Sequence, residues 1–350
     1  MIRKLRLLVL ALALAGAAGA AAARPLTVGF YLPWDAASTA SAVRHAAAID
    51  VLAPMSGALD SPQGHVRWQD DPARTALAKG RAKPRVFPVV SNAHDNVWDA
   101  AAAEAAVGDP AAGEAFVGAL VAEAKAQGYG GYILDFESLS PAATQGYPAF
   151  LARLRAALRP LGREVWVTAG VAADPALVRG LAAATDAVVL MAYDQCWANS
   201  TPGPIAGQDW LARSLEASFA GADAAHYLVA LGAYGYDWPD GKPAAVISAP
   251  AAVALARAKG QAALREPPAA NPHFAYAGPD GARHTVWYLD AAAFAAQRAA
   301  VLARKARGVA VWRLGLEDPA IWTAPVAAQA RTAPAPAGPA PPPVCFALPH

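Results

Sequence analysis

The sequence has few cysteines and no pattern of metal ligands. Its 350 residues include only Cys196 and Cys345, too few for a disulfide-stabilised scaffold. The seven histidines are scattered and show no H-E-x-x-H spacing, and no paired C-x-x-C motif occurs. No G-x-G-x-x-G motif follows an early strand candidate, which argues against a dinucleotide-binding fold. We therefore expect neither a metal site nor a cofactor.

Long apolar runs are also lacking, with one exception close to the first residue. Arg3, Lys4 and Arg6 precede an unbroken apolar run from Leu7 to Ala15, and an alanine-rich stretch ends near residue 23. A run of that length is too short for a membrane-spanning helix, which needs about 20 residues. The pattern is typical of a cleaved export signal, with an uncleaved membrane anchor as the alternative. We expect residues 1–23 to be a signal peptide and the mature protein to be periplasmic or extracellular, without a stable membrane span.

Neither sign of charge dominates the remaining sequence. Without the three basic residues of the signal, 26 of the 29 basic residues remain against 27 acidic residues, which gives a net charge of −1. No run of basic residues interrupts this balance. A near-neutral surface of this kind argues against nucleic acid or an anionic membrane as the partner.

What the sequence does contain is a regular alternation of β-rich apolar runs and longer helical stretches. The helical stretches carry apolar residues three and four apart, as in Gly113–Gln127 and Tyr147–Leu158. Strand–helix alternation predicts a parallel sheet covered on both faces, and eight units favour closure into a (β/α)8 TIM barrel over an open sheet. The eight predicted strands are Leu26–Tyr31, Ile49–Ala53, Arg85–Val90, Gly131–Phe136, Val165–Val171, Ala187–Ala192, Tyr227–Ala233 and Gly308–Arg313.

Two segments interrupt this alternation. Between the seventh and eighth strands, residues 239–289 contain a predicted helix, Ala251–Leu264, and two aromatic segments around the turn Gly278–Gly281. This composition predicts a small α+β insertion. After the barrel, which we assign to residues 24–330, residues 331–350 form an alanine- and proline-rich tail, and we expect its tract from Thr332 to Pro343 to be extended and unpacked.

The fourth predicted strand ends with two carboxylates, Asp135 and Glu137. Because residues two apart on a strand point to the same side, both side chains face the same way, together with Ile133. Active sites of such barrels lie at the carboxyl ends of the strands. Two carboxylates side by side at an apolar mouth raise one pKa, which provides an acid able to protonate a glycosidic oxygen. The alternative is a surface pair neutralised by arginines.

Aromatic side chains follow several other predicted strands. Rings that converge on one rim of a barrel provide platforms for the apolar faces of sugar rings, although each ring alone is equally consistent with core packing. The sixth strand also ends with a carboxylate, Asp194. The aromatic residues at strand ends are Tyr31, Trp34, Tyr193, Tyr234, Tyr236 and Trp312.

Several of these segments resemble the glycoside hydrolases of family 18, the chitinase-like enzymes. Residues 129–137, ending in Asp135-Phe136-Glu137, are similar to the D-x-x-D-x-D-x-E signature of the family, and residues 191–194 are similar to its M-x-Y-D motif. Val286-Trp287-Tyr288-Leu289-Asp290 resembles its V-W-[FY]-x-D segment, and Trp312 falls where the family has a tryptophan at the floor of the sugar site. The resemblance covers about residues 26–322. Within the family, the chain looks most similar to spore-cortex peptidoglycan N-acetylglucosaminidases and to chitinase-like domains fused to polysaccharide deacetylases and glycosyltransferases.

The resemblance implies a retaining hydrolysis of β-1,4-linked N-acetylglucosamine glycans in which the substrate supplies the nucleophile. Glu137 would protonate the leaving oxygen, Asp135 would orient the 2-acetamido group, and Tyr193 would bind its carbonyl. Asp194 would bind a hydroxyl group or orient the site, while the other aromatic residues, including Trp287, would contact the sugar. Chitin, peptidoglycan and poly-N-acetylglucosamine are the expected substrates.

The chain departs from the family signature at two positions. Gly130 and Ile133 stand where the family has its first two aspartates, so Ile133 cannot share a proton with Asp135. The charge state of Asp135 would then depend on another polar neighbour, such as Ser91 or Asn92. These losses keep open the alternative of a non-catalytic saccharide-binding barrel. An unrelated barrel enzyme that uses a metal or a nicotinamide cofactor lacks its motifs. Cys196 would be a loop thiol, with a disulfide to Cys345 as one option.

Overall fold

A computed structural model describes residues 24–94, 97–323 and 345–348. The expected signal peptide and most of the alanine- and proline-rich tail lie outside these residues. Among the described residues, no single helix is long and apolar enough to cross a membrane, and one pair of consecutive helices passes that test only together, with a bend of 99° between them.

Sixteen strands occur in the described residues, and eight of them close a parallel barrel in the order β1, β2, β5, β8, β9, β10, β11 and β16, with β16 pairing back to β1. The (β/α)8 prediction is therefore confirmed. The strands are β1 Leu26–Tyr31, β2 Val51–Leu59, β3 Val66–Trp68, β4 Arg85–Val86, β5 Val89–Ser91, β6 Ala93–His94, β7 Val97–Trp98, β8 Gly131–Asp135, β9 Glu164–Gly170, β10 Ala187–Ala192, β11 Tyr227–Gly232, β12 Gly235–Pro239, β13 Ala245–Ile247, β14 His273–Ala277, β15 Arg283–Tyr288 and β16 Gly308–Trp312.

Each of the eight predicted strands has an observed counterpart, most within one residue at each end, and two differ by more. The second strand is longer than predicted and continues to Leu59, where it also pairs with β3. The third is divided into β4 and β5 at Phe87-Pro88. Proline has no amide hydrogen to donate to a neighbouring strand, which explains the interruption.

Eight of the nine helices in the described residues follow a residue whose side chain caps the first turn, and the exception is the helix after Gly207. Asp109, for example, accepts hydrogen bonds from the amides of residues 111 and 112, and Pro110 occupies the first turn of the next helix. This explains why α4 begins three residues before the predicted start at Gly113. The helices are α1 Ala36–His45, α2 Pro72–Ala78, α3 Ala100–Gly108, α4 Pro110–Gln127, α5 Pro141–Leu158, α6 Pro175–Ala184, α7 Gln208–Phe219, α8 Ala249–Ala258 and α9 Ala291–Ala303.

The core has two layers, separated by the barrel wall. On β8, Tyr132 and Leu134 pack outward against the helices, whereas Ile133 packs inward among the residues that fill the barrel. This alternation is the one predicted from the sequence. It directs the side chains that follow Ile133 at two-residue intervals, Asp135 and Glu137, towards the mouth of the barrel.

Two further segments border the mouth. Strands β12 to β15 form an antiparallel sheet in the order β13, β12, β15, β14, and α8 packs against it. This sheet is the predicted α+β insertion, although it begins four residues early, at Gly235. Cys196, just after β10, forms a disulfide with Cys345, with 5.4 Å between their Cα atoms. Residues 345–348 then run antiparallel to the loop at 199–201.

Candidate active site

The first site residue, Asp135, is the last residue of β8 and lies inside the mouth of the barrel. Only 7% of its surface is exposed. The Thr168 hydroxyl on the adjacent strand β9 lies 2.5 Å from its Oδ1 and donates a hydrogen bond to it. Burial raises the pKa of Asp135, and the Thr168 hydrogen bond acts in the opposite direction. Among the described residues, the enclosed carboxylate therefore has the Thr168 hydroxyl as its donor and no cation beside it.

Glu137 lies two residues further along the chain and is half-buried. The Asn92 side chain, which is fully buried, fixes its backbone from both sides: Asn92 Nδ2 donates to Glu137 O, and Glu137 N donates to Asn92 Oδ1, each at 2.9 Å. Burial, followed by the negative charges of Asp135 and Asp194, raises the pKa of Glu137 to about 7. Near neutral pH this carboxyl group retains a proton that it is able to donate.

Asp194 follows β10, which lies two strands along the barrel from β8. Its backbone has a positive φ of 56°, a conformation that aspartate adopts more readily than most residues. Its Oδ1 accepts hydrogen bonds from the hydroxyls of Tyr234 and Tyr236. Desolvation by the surrounding protein raises the pKa of Asp194 and the two hydroxyls act to lower it, although the residue itself is exposed at the mouth.

Trp312, at the end of β16, and Tyr193, at the end of β10, form an aromatic floor. Their rings lie nearly parallel, 9° apart in orientation, with centroids separated by 5.8 Å. Phe30 contacts the other side of Trp312 edge-on, with centroids 5.7 Å apart. Both floor residues remain partly exposed, so the surface they provide is accessible from the mouth.

The structure therefore brings five of the predicted site residues together and gives the others different surroundings. The grouped residues are Glu137, Asp135, Tyr193, Asp194 and Trp312. Tyr234 and Tyr236 are more than 90% buried and hold Asp194, so they position a site residue and offer no stacking face.

The three other predicted aromatic contacts have surroundings of their own, although Trp287 packs against the same apolar cluster as Tyr193 and Trp312. Tyr31 is fully buried in the outer core layer and donates a hydrogen bond to Asp71 at 2.6 Å, so we reassign it from substrate contact to core residue. Trp34 lies on the rim, in the connection between β1 and α1, with 59% of its surface exposed. Trp287 lies on β15 and stacks on His273 with centroids 4.0 Å apart.

Sequence reasoning missed Thr168 and misjudged Asn92. The expected neighbour of Asp135 was Ser91 or Asn92, but the hydrogen bond comes from Thr168, and Asn92 holds the backbone of Glu137 instead. One signal in the sequence pointed to Thr168. It lies two residues after Trp166 on the predicted fifth strand, so both side chains face the interior of the barrel, where a polar residue is unusual.

The arrangement has the parts required for acid catalysis on a sugar. A carboxyl group with a pKa raised to about 7 lies at the mouth, two further carboxylates lie around it, and the aromatic floor is accessible. Among the residues that the structure describes, no ion pair neutralises any of the three carboxylates. The alternative of a surface pair held by arginines is therefore not what the site contains.

Comparison with known proteins agrees with this geometry. The family model of the glycosyl hydrolases family 18 matches residues 84–317. The uncharacterized glycosylase YvbX of Bacillus subtilis is 26% identical over 317 residues, which cover 87% of this chain and 91% of YvbX. The cortical fragment-lytic enzyme of Bacillus subtilis is 26% identical over 218 residues, which cover 58% of this chain and 50% of that protein.

Among solved structures, a chitinase from Chromobacterium violaceum superimposes with a TM-score of 0.78 at 27% sequence identity. The match covers 88% of this chain and 99% of the chitinase. The similarity thus extends over the barrel and its insertion together.

Proposed function

The chain belongs to family 18 of the glycosyl hydrolases, and on this premise we propose that it is an exported enzyme that cleaves β-1,4-linked N-acetylglucosamine glycans with retention of configuration. That it is a glycoside hydrolase follows from the family and from its relatives. The substrate, the mechanism, the catalytic residues and the location are the parts that we propose.

The observation that carries the proposal is the environment of Glu137. This carboxyl group is half-buried at the mouth, its backbone is fixed by Asn92, and its pKa is raised to about 7. A general acid works best when its pKa is close to the working pH. We assign Glu137 as the group that protonates the glycosidic oxygen as the bond to the anomeric carbon breaks.

The nucleophile in this mechanism comes from the substrate, as in other family 18 enzymes. The 2-acetamido oxygen attacks the anomeric carbon and forms a cyclic oxazolinium intermediate. Glu137, now ionised, then takes a proton from the water that opens this intermediate. Two displacements at one carbon retain its configuration.

The remaining residues act on the acetamido group and the developing charge. Ionised Asp135 orients the acetamide N–H and stabilises the positive charge of the oxazolinium ion. Tyr193 binds the acetamide carbonyl, and Asp194, held by Tyr234 and Tyr236, binds a hydroxyl group or orients the site. Trp312 supports the apolar face of the sugar ring.

The names of the relatives guide the choice of substrates to test. One matched protein is called a cortical fragment-lytic enzyme and another a chitinase. Both names fit a polymer that contains N-acetylglucosamine. We propose chitin, peptidoglycan or poly-N-acetylglucosamine, and an export signal at residues 1–23 suits any of these external glycans.

The decisive experiment compares Glu137→Gln with Glu164→Gln, which changes a glutamate at the opposite end of the barrel. Purified chitin oligomers, peptidoglycan and poly-N-acetylglucosamine are incubated with each variant, and the products are identified by mass spectrometry. We expect Glu137→Gln to lower turnover by about 10²- to 10⁴-fold, because the acid is lost, with sugar binding nearly intact. Glu164→Gln retains turnover. Equal activity of the Glu137 variant and the unmutated protein contradicts the assignment.

A further inference from the structure

The carboxylate of Asp135 is enclosed by residues of several elements, which together determine its charge. Ile133, two residues earlier on the same face, is fully buried and has no polar group to offer. On the neighbouring strand β5, Ser91 lies opposite Asp135 in the strand register. The Ser91 hydroxyl accepts a hydrogen bond from the amide of Ala93 at 3.3 Å. Neither residue neutralises the carboxylate.

Thr168 is placed differently from these neighbours. Its Oγ1 lies 2.5 Å from Asp135 Oδ1 and 3.3 Å from the carbonyl oxygen of Leu134. A hydroxyl group has one hydrogen to donate and lone pairs with which to accept. When Asp135 is ionised, the hydroxyl donates to the carboxylate. When Asp135 is protonated, rotation about the C–O bond lets the same hydroxyl donate to Leu134 and accept from the carboxyl group.

We propose that Thr168 is the positioning residue that keeps Asp135 ionised while Glu137 carries the proton, because its hydroxyl donates a hydrogen bond to the carboxylate. The proposal rests on the function proposed above, in which ionised Asp135 stabilises positive charge on the substrate. It adds a residue on β9 to the catalytic arrangement at the ends of β8 and β10.

The titratable groups around Asp135 make this arrangement sensitive to pH. Glu137 follows it on the chain, Tyr193 approaches from β10 and Tyr147 from α5, and each carries a pKa raised by burial and by the charge of Asp135. When Asp135 is ionised, its negative charge therefore disfavours ionisation of each of these groups. The Thr168 hydrogen bond is the contact that lowers the pKa of Asp135, so its removal favours the protonated form.

The variant that tests this is Thr168→Val, which removes the hydroxyl and keeps the branched shape that suits a strand. The productive state has Asp135 ionised and Glu137 protonated, so activity rises through the pKa of Asp135 and falls through that of Glu137. In Thr168→Val, the pKa of Asp135 should rise, so the acidic limb of the bell-shaped kcat/KM profile should move to higher pH and the pH range of activity should narrow. The alkaline limb near pH 7 does not move to lower pH. At the optimum, kcat falls about 10- to 100-fold, the range typical of a hydrogen bond to a charged group.

Thr168→Ser is the matched control, because it keeps the hydroxyl and loses only a methyl group. The serine variant should recover the acidic limb of the unmutated protein. Thermal unfolding checks that both variants are folded, and Thr168→Ala replaces the valine variant if valine does not fold. An acidic limb that stays in place in both the valine and alanine variants overturns the proposal. A lack of hydrolysis by the unmutated protein on every N-acetylglucosamine glycan instead overturns the proposed function.

Discussion

At the amino ends of β9 and β10, carboxylates are paired with arginines, whereas two carboxylates of the candidate site, Asp135 and Asp194, accept hydrogen bonds from hydroxyl groups at the carboxyl ends of β8 and β10. Glu164, the first residue of β9, contacts both Arg85 and Arg307, and Asp186, just before β10, pairs with Arg155 at 2.8 Å. At the mouth, the carboxylates of the candidate site have no such ion pairs among the described residues, and threonine and tyrosine hydroxyls contact two of them.

The pKa values of the two ends move in opposite directions as a result. Burial tends to raise the pKa of Glu164, but hydrogen bonds from Arg85, Trp166 and Arg307 bring it below its usual value. Burial also raises the pKa of Glu137, and its charged neighbours Asp135 and Asp194 raise it further. The carboxylates at the amino ends of β9 and β10 form stabilising ion pairs, whereas the carboxylates of the candidate site have no compensating positive charge among the described residues, as acid catalysis requires.

The strongest test of this comparison exchanges an aspartate for asparagine at each end. Asp135→Asn should lower kcat by about 10²-fold, because the positive charge on the substrate loses its counter-charge. Asp135 has a higher pKa in the folded than in the unfolded protein. Its ionisation therefore lowers the free energy of unfolding once the pH exceeds its pKa in the unfolded chain. This variant should therefore be as stable as the unmutated protein, or more stable, at pH 7. Substrates that lack the N-acetyl group should be slowed less.

Asp186→Asn should behave in the opposite way. Asp186 accepts hydrogen bonds from Arg155 and from the amide of Val165, and one of these is lost in the amide. The free energy of unfolding should fall by about 1–3 kcal/mol, with kcat unchanged. Urea unfolding and steady-state kinetics of the two variants measure both quantities. Equal losses of kcat and of unfolding free energy in the two variants would contradict the view that the Asp135 end serves catalysis and the Asp186 end serves stability.

The sequence was sufficient to predict the end of the barrel that carries the chemistry. Alternation along β8 directs Asp135 and Glu137 inward, and the carboxyl ends of parallel strands meet at one rim. The same reasoning applied to β1 predicts that Tyr31 faces outward, because Val28 and Phe30 fill the barrel. Its selection as a sugar contact rested on its position at a strand end, without regard to that alternation.

Alternation along β9 could have identified Thr168 as an inward-facing polar residue, but its contact with Asp135 also depends on the register of β8 against β9. Leu134 pairs with Val167, which brings the next residue of each strand together, and a shift of one residue would direct Thr168 to the other face. The bond from Asn92 to Glu137 likewise joins residues 45 positions apart. Composition and periodicity contain no information about such pairings.

The disulfide is an exception to the comparison, since it adds stability at the mouth. Cys196 lies two residues after Asp194, and its bond to Cys345 closes a separation of 149 residues. Cys345→Ser should lower the free energy of unfolding by about 2–4 kcal/mol, the range typical of a native disulfide. The backbone hydrogen bonds from Gln195 to Ile205 and from Cys196 to Pro204 remain to hold the loop, so kcat should change little.

Calorimetry with and without a reductant measures this effect. The unmutated protein treated with reductant should match Cys345→Ser, and the variant itself should not respond to the reductant. A large loss of kcat in the variant would mean that the mouth depends on the disulfide for its catalytic geometry as well as for stability.

The smallest expected effect, and the one that most directly measures the electrostatics of the mouth, is a shift in pH dependence. Because Glu137 must be protonated to act as an acid, kcat/KM should fall as the pH rises through about 7. Asp194→Asn removes one of the two negative charges that raise this pKa, so the alkaline limb should move to lower pH, by less than one unit. Asp223→Asn, at the amino end of β11, is the control and should leave the limb in place. A limb that does not respond to Asp194→Asn would mean that burial and Asp135 alone set the acidity of Glu137, and that Asp194 acts on the substrate.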